Sequence, residues 1–199
     1  MSLEKITTIT GTAVYVPGDD LDTDRITPAR FLKAITFDEL SSALFADERY
    51  TPEGQPKPHP LNDPRFSDAK IMLVGENFGC GSSREHSPQA VFRSGFRAVI
   101  GGSFAEIFFG NATGISLVCV RASKADIETL AAAVDEDPAL EVTVDLNALE
   151  ARYGGSRFAV NLPEAARKAL TSGHWDPIAD LLEAGDLLEA MDARSGRAG

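Results

Sequence analysis

The run Gly79-Cys80-Gly81-Ser82-Ser83-Arg84-Glu85-His86-Ser87-Pro88 concentrates hydroxyls, a thiol, a guanidinium, a carboxylate and an imidazole in one short stretch of chain. Arg84 offers planar, two-pronged donation of the kind that suits a carboxylate. Its neighbouring serines offer one hydroxyl for proton transfer and another for holding a substrate. Gly79 and Gly81 permit left-handed backbone and let a ligand come close to main-chain N–H groups. A following helix adds partial positive charge at its start, so the loop suits an anion. The bland alternative is a packing turn whose serines cap that helix while Arg84 and Glu85 form a solvated pair. A nucleotide-type phosphate loop does not fit, because the Gly-x-x-x-x-Gly-Lys-Ser/Thr pattern is missing and the turn contains no lysine.

Such a loop needs a strand before it and a helix after it. Ile71-Met72-Leu73-Val74 is a short apolar run that predicts a buried strand. A helix capped at Ser82 would press the Pro88 ring against the Arg84 carbonyl, so Ser87 as N-cap with Pro88 in the first position is the expected start, with Gly95 closing the helix. Downstream the pattern alternates: a strand at 97–100, a helix opened by a capping box of Ser103 and Glu106, a strand at 115–120, and a helix of about a dozen residues capped by Ser123. Residues 141–146 and 157–162 read as two further strands joined through Gly154-Gly155, and 163–171 and 177–192 as helices. Upstream, 6–16 reads as a strand or a hairpin broken by Gly11, Pro17-Gly18-Asp19-Asp20 as a turn, and 28–44 as mixed helical spacing. Prolines at 52, 56, 58, 60 and 64 mark 51–68, which includes His59, as an irregular surface loop. Sequential strand–helix–strand units predict an α/β domain over 1–194 with a mostly parallel central sheet and flanking helices. They place the loop after 71–74 at the carboxyl end of that sheet. Residues 195–199 are expected to be a disordered tail.

Composition narrows the function classes. A chain of 199 residues can bury one good core, and a formal charge of −11 argues against nucleic acid and anionic membranes as partners. The first ten residues lack the basic start and apolar centre of a signal peptide, and no apolar stretch is long enough to span a bilayer, so a cytoplasmic protein is expected. Cys80 and Cys119 are the only cysteines, at a spacing unlike a clustered metal site, so no metal is expected to be bound by this chain. Cys80, between glycines, has nothing that fixes a base near its sulfur, and a packing role is favoured over a nucleophile. Cys119 falls inside an apolar run and belongs to the core. His174-Trp175 reads as a turn anchoring the last helix.

The decamer Asn77-Phe78-Gly79-Cys80-Gly81-Ser82-Ser83-Arg84-Glu85-His86 resembles the active-site loop of the 3-isopropylmalate dehydratase small-subunit family, within the aconitase superfamily. Asp22-Thr23-Asp24-Arg25-Ile26-Thr27-Pro28 with Phe31-Leu32, and Ser103-Phe104-Ala105-Glu106-Ile107-Phe108-Phe109-Gly110-Asn111, agree with it in the same order. The resemblance implies a swivelling β/β/α domain. It implies half of a two-chain hydro-lyase that isomerises 2-isopropylmalate to 3-isopropylmalate in leucine biosynthesis, acting on a small dicarboxylate. A [4Fe–4S] cluster, the Lewis acid of such dehydrations, would be carried by the large-subunit partner.

By the same resemblance Ser82 would be the base that removes a carbon-bound proton. Ser83 and Arg84, with the backbone of Gly79 and Gly81, would bind a substrate carboxylate. Asp24 would pair across the interface with a partner histidine that protonates the leaving hydroxyl, and Glu85 and His86 would orient the loop. For Asp22 a loop carboxylate making an Asx-turn is the favoured reading. Phe31, Leu32, Ala34, Ile35 and Phe37 make the stretch after Asp24 apolar, which favours an alkyl pocket. Two departures stand out: Leu117-Val118-Cys119 where relatives usually have Leu-Leu-Pro, and Gly101-Gly102 where they commonly have Ala-Pro. These leave open a paralogue acting on another 2-substituted malate, of homoaconitate, citramalate or dimethylmalate type. An alternative of another class is a non-catalytic anion-binding module.

Overall fold

The computed structural model describes residues 4–33, 37–82 and 84–174. Along the chain run β1 (Thr8–Tyr15), α1 (Thr23–Ile26), α2 (Ala46–Arg49), β2 (Ile71–Leu73), α3 (His86–Arg93), β3 (Ala98–Gly101), α4 (Glu106–Gly114), β4 (Val118–Arg121), α5 (Lys124–Glu136), β5 (Glu141–Asp145), β6 (Glu150–Tyr153), β7 (Ser156–Ala159) and α6 (Glu164–Ser172). The seven strands form one sheet in the order β4-β3-β2-β1-β5-β6-β7. Neighbours from β1 to β4 are parallel. β5 pairs antiparallel with β1, and β6 and β7 extend that edge as hairpins. The sheet curls until Asn161, just past β7, exchanges both main-chain hydrogen bonds with Arg121 at the end of β4.

Alternation along the short apolar strands builds two cores. Val14, Met72, Val99 and Cys119 stand in register across four strands and face one way, meeting Ile26, Ala90, Val91, Phe108 and Ala112 from α1, α3 and α4. Ala13, Ile71, Ala98 and Val118 face the other way, under Ile127, Leu130 and Val134 of α5 and Leu170 of α6. Helices on both faces explain why these strands read as continuous apolar runs. Cys119 is a core residue, and burial pushes its thiol far up the pKa scale.

Several local expectations are corrected. β1 is one unbroken strand, since Gly11 pairs with Val142, and a side chain there would collide with Lys70. Three strands rather than two follow α5. β6, with the sequence Glu-Ala-Arg-Tyr, carries too little apolar character to announce itself, and Gly154-Gly155, both at positive φ, close the β6–β7 hairpin. α3 begins at His86 with Glu85 in the cap position, so Pro88 sits third in the helix. Pro88 thus falls in the first turn, where a missing N–H forfeits no intrahelical hydrogen bond. α4 starts at Glu106 without a side-chain cap, and Ser103 is used elsewhere. The Ser123 cap on α5 forms as expected, accepting from the Asp126 N–H at 3.1 Å. The proline-rich 51–68 stretch is irregular apart from turns at Pro60–Asn62 and Pro64–Phe66. The expected 177–192 helix, the 195–199 tail and Trp175 lie outside the described residues.

Candidate active site

β2 delivers the loop to the carboxyl end of the parallel strands, and other segments fix its shape. The Glu76 N–H donates to Asp19 Oδ1 at 2.8 Å, the Asp20 N–H donates back to the Glu76 carbonyl at 2.9 Å, and Asn77 Nδ2 donates to Asp20 Oδ1 at 2.7 Å. From the other side Ser103 Oγ accepts from the Asn77 N–H at 2.8 Å and donates to Glu76 Oε2 at 2.5 Å. This is why the capping box does not form. Ser103 braces the loop, and Phe104 is held in a β-bridge with Phe78, so α4 cannot begin before Glu106. The Phe78 ring then meets Phe108 edge-on at 5.1 Å between centroids. Gly79, at φ +79°, passes so close that a Cβ would lie 2.3 Å from the Phe108 ring, and only glycine meets both demands.

Beyond Gly79 the loop pairs with residues 21–23. The Gly79 N–H donates to the Leu21 carbonyl and the Thr23 N–H to the Cys80 carbonyl, each at 2.8 Å. Asp22 caps the short helix α1, its Oδ1 accepting from the Arg25 N–H at 2.8 Å, a local structural role that reaches one residue beyond the Asx-turn expected for it. That cap turns Asp24 toward Arg84, whose Nη1 and Nη2 donate to the two Asp24 carboxylate oxygens at 2.5 and 3.3 Å. The Arg84 side chain is 19% exposed and that of Asp24 57%. Ser82 is exposed. Beneath it Thr23, buried, places its Oγ1 3.1 Å from the Ser82 carbonyl and 3.4 Å from Ser82 Oγ. Ser87 Oγ, also buried, donates to the Thr23 carbonyl at 3.2 Å.

The structure thus brings Asp24, Ser82, Arg84, Gly79 and Gly81 together. Glu85 is exposed at the start of α3 and His86 is its first residue. Ser83 lies outside the described residues. Thr23 carries no role in the sequence reading, and Ser87 carries only that of a helix cap, which it does not fill. The only signal for Thr23 is its position between two site-segment aspartates. Cys80 is partly exposed, but desolvation and then the Asp20 and Asp22 charges push its thiol above the ordinary value, which disfavours a nucleophile. Arg25 donates through Nε to Glu48 Oε1 at 2.5 Å, and that bond raises its pKa further.

Past α1, Arg30 stacks over the Phe31 ring at 4.7 Å, and Phe31 lines a cavity of about 910 Å³ with Arg30, Ser42, Ala46 and Tyr50. Ala34, Ile35 and the Phe37 side chain lie outside the described residues. Neither this cavity nor a second, of about 760 Å³, is lined by Asp24, Ser82 or Arg84. An iron–sulfur cluster does not fit this chain. Cys119 is locked in β4 facing the core, Cys80 is in the loop, and two separated thiols cannot supply a cluster's ligand set. Among the described residues no group of three or more His, Cys, Asp or Glu could hold a metal ion.

Comparison with known proteins agrees with this geometry. Residues 3–125 match the aconitase C-terminal domain. Across 192 residues the chain is 56% identical to the 3-isopropylmalate dehydratase small subunit of Thermus thermophilus, covering 96% of each. It is 43% identical to that of Synechocystis, covering 91% of this chain and 89% of the relative. The crystal structure of 3-isopropylmalate dehydratase from Methanocaldococcus jannaschii superposes with a TM-score of 0.63 at 28% identity, over 93% of this chain and 99% of the other. The chain, with its loop and its Asp24 segment on one curled α/β sheet, belongs to the small-subunit family of 3-isopropylmalate dehydratase, within the aconitase superfamily.

Proposed function

We propose that this chain is the small subunit of a hydro-lyase that interconverts 2-isopropylmalate and 3-isopropylmalate in leucine biosynthesis, and that its Asp24, Ser82 and Arg84 form half of a site completed by a large subunit. The observation that carries the reading is an exposed Ser82 two residues from Arg84, whose guanidinium grips Asp24 of a segment sixty residues upstream. A small dicarboxylate needs a pocket that excludes water, and a large subunit seated over the exposed Ser82 would close one.

Dehydration takes a proton from one carbon and a hydroxyl from its neighbour. Ser82 Oγ would accept the carbon-bound proton and supply one when water is added back. A serine is a very weak acid, so its alkoxide must be held by fixed donors rather than by water. Arg84 would clamp a substrate carboxylate, with Ser83 and the glycine backbone beside it. Its fork already grips the Asp24 carboxylate in the same two-pronged way. Asp24 would hold a histidine of the large subunit that protonates the leaving hydroxyl, while Glu85 and His86 keep the loop oriented. The Lewis acid of this chemistry, a [4Fe–4S] cluster, would be held by the large subunit. No helix of the described residues is long and apolar enough to cross a membrane, and a cytoplasmic biosynthetic enzyme is the proposed setting.

The test is to assay the purified chain anaerobically, alone and with a large subunit of the family, following alkene absorbance from 2-isopropylmalate. Turnover only in the mixture is expected. Turnover by the isolated chain contradicts the shared site, and no turnover with a large subunit favours an anion-binding module. Competition among 2-alkylmalates then fixes the side chain accepted. One buried methylene changes binding by only about 1 kcal/mol, so near homologues are expected to compete.

A further inference from the structure

Thr23 takes no part in the chemistry above, yet its buried hydroxyl lies beside the proposed base. The residue is 2% exposed, so water does not compete for its proton. Oγ1 lies 3.1 Å from the Ser82 carbonyl oxygen and 3.4 Å from Ser82 Oγ. A hydroxyl carries one proton and cannot give a full hydrogen bond to both. While Ser82 is neutral, the shorter contact to the carbonyl is the better acceptor. Once Ser82 Oγ carries negative charge it becomes the stronger acceptor, and the Thr23 proton can turn to it. That turn moves only a hydrogen about the Cβ–Oγ1 bond, so the donor is in place before charge develops.

The rest of Thr23 is anchored for this purpose on three sides. Its N–H donates to the Cys80 carbonyl at 2.8 Å, and its carbonyl accepts from the Thr27 N–H at 2.9 Å and from Ser87 Oγ at 3.2 Å. A β-branched side chain further limits where the hydroxyl can point. Loop and α1 therefore cannot shift independently without moving Oγ1 relative to Ser82.

We propose that Thr23 is a positioning residue for proton transfer, which orients neutral Ser82 through its carbonyl and donates to Ser82 Oγ when that atom is an alkoxide. This rests on the reading of Ser82 as the base. No bond to substrate is made or broken by Thr23, and its own proton stays with it.

The reconstituted two-chain enzyme tests the assignment with Thr23→Val, which keeps shape and branching but removes the hydroxyl, and Thr23→Ser, which keeps the hydroxyl. Loss of one such donor is expected to lower kcat roughly 100-fold for Thr23→Val, with KM within about twofold. Thr23→Ser should recover kcat to within about threefold by the same measure. With substrate deuterated at the carbon that loses its proton, the isotope effect on kcat should rise in Thr23→Val, because proton abstraction becomes slower relative to other steps. If Thr23→Val does not assemble, Thr23→Ala is compared with Thr23→Ser in the same way. A wild-type kcat in the hydroxyl-free variant, an equal loss in Thr23→Ser, or a defect confined to KM or to assembly each overturns the assignment. Ser82→Ala is assayed alongside. If Ser82→Ala is inactive while Thr23→Val is unimpaired, only the role of Thr23 falls, whereas normal turnover by Ser82→Ala removes the base itself.

Discussion

Arg84 and Asp24, separated by sixty residues, are joined by two hydrogen bonds from one guanidinium to one carboxylate, at 2.5 and 3.3 Å. Under the proposed function each would take a different partner in the working enzyme, a substrate carboxylate for Arg84 and a histidine of the large subunit for Asp24. The Asp24 side of the pair is mostly in water, and such a pair contributes about 1 kcal/mol or less. Exchange of these partners on assembly would therefore cost little, and in the isolated chain the pair fixes the direction of the Arg84 fork.

Arg84→Lys keeps the charge but loses the fork. KM for 2-isopropylmalate is expected to rise about tenfold or more while kcat changes less, since a point charge replaces a bidentate clamp. Steady-state kinetics of the assembled variant checks this, and an unchanged KM counts against the clamp.

Gly79→Ala would set a methyl group 2.3 Å from the Phe108 ring at a backbone angle of φ +79°. Strain and overpacking together are expected to cost about 2–4 kcal/mol. Urea unfolding of the purified chain measures the loss, and a variant as stable as the parent contradicts the packing described for the loop.

His59 links stability to pH. Desolvation by burial lowers its pKa below the ordinary 6.5, with the Arg49 and Lys57 charges adding to this and Glu48 opposing it. The unfolded chain then binds a proton more readily than the folded one, so stability rises with pH between the folded-state pKa and about 6.5 and is lost on acidification through that window. His59 Nδ1 accepts from the Leu61 N–H at 3.1 Å, a cap that asparagine can supply. Denaturant midpoints measured from pH 5 to 7 should slope upward in the parent and less so in His59→Asn. Equal slopes contradict this account.

Cys80 is expected to behave as an unreactive thiol. Its pKa is raised by desolvation and by Asp20 and Asp22, so iodoacetamide at pH 8 should alkylate it more slowly than a free cysteine. Cys80→Ser should retain turnover within about threefold. A large loss of activity in that variant would assign the thiol a role the structure does not give it.

The order of strands and helices from β2 to α5 and the place of the loop at the sheet's carboxyl end were legible in the sequence. Short apolar runs such as 71–74, the Ser123 cap and the glycines at 79 and 81 each carry a local physical signal. β6 was not legible because Glu150 to Tyr153 is stabilised by its neighbours, Val144 opposite Ala151 and the Arg157 guanidinium of β7 beside the Glu150 carboxylate, rather than by its own composition. Ser103 and Glu106 fit a capping box locally, and the tertiary bracing of Glu76 and Asn77 overrode it. Thr23 escaped notice because its importance lies in a contact fifty-nine residues away, which no local pattern encodes.

The central claim is that this chain supplies the proton acceptor of a site it shares with a large subunit. Ser82→Ala, reconstituted anaerobically with that subunit, measures it most directly by alkene absorbance at saturating 2-isopropylmalate. Assembly should be normal and kcat should fall by about 100-fold or more. A variant that assembles and turns over at the parent rate would contradict the account.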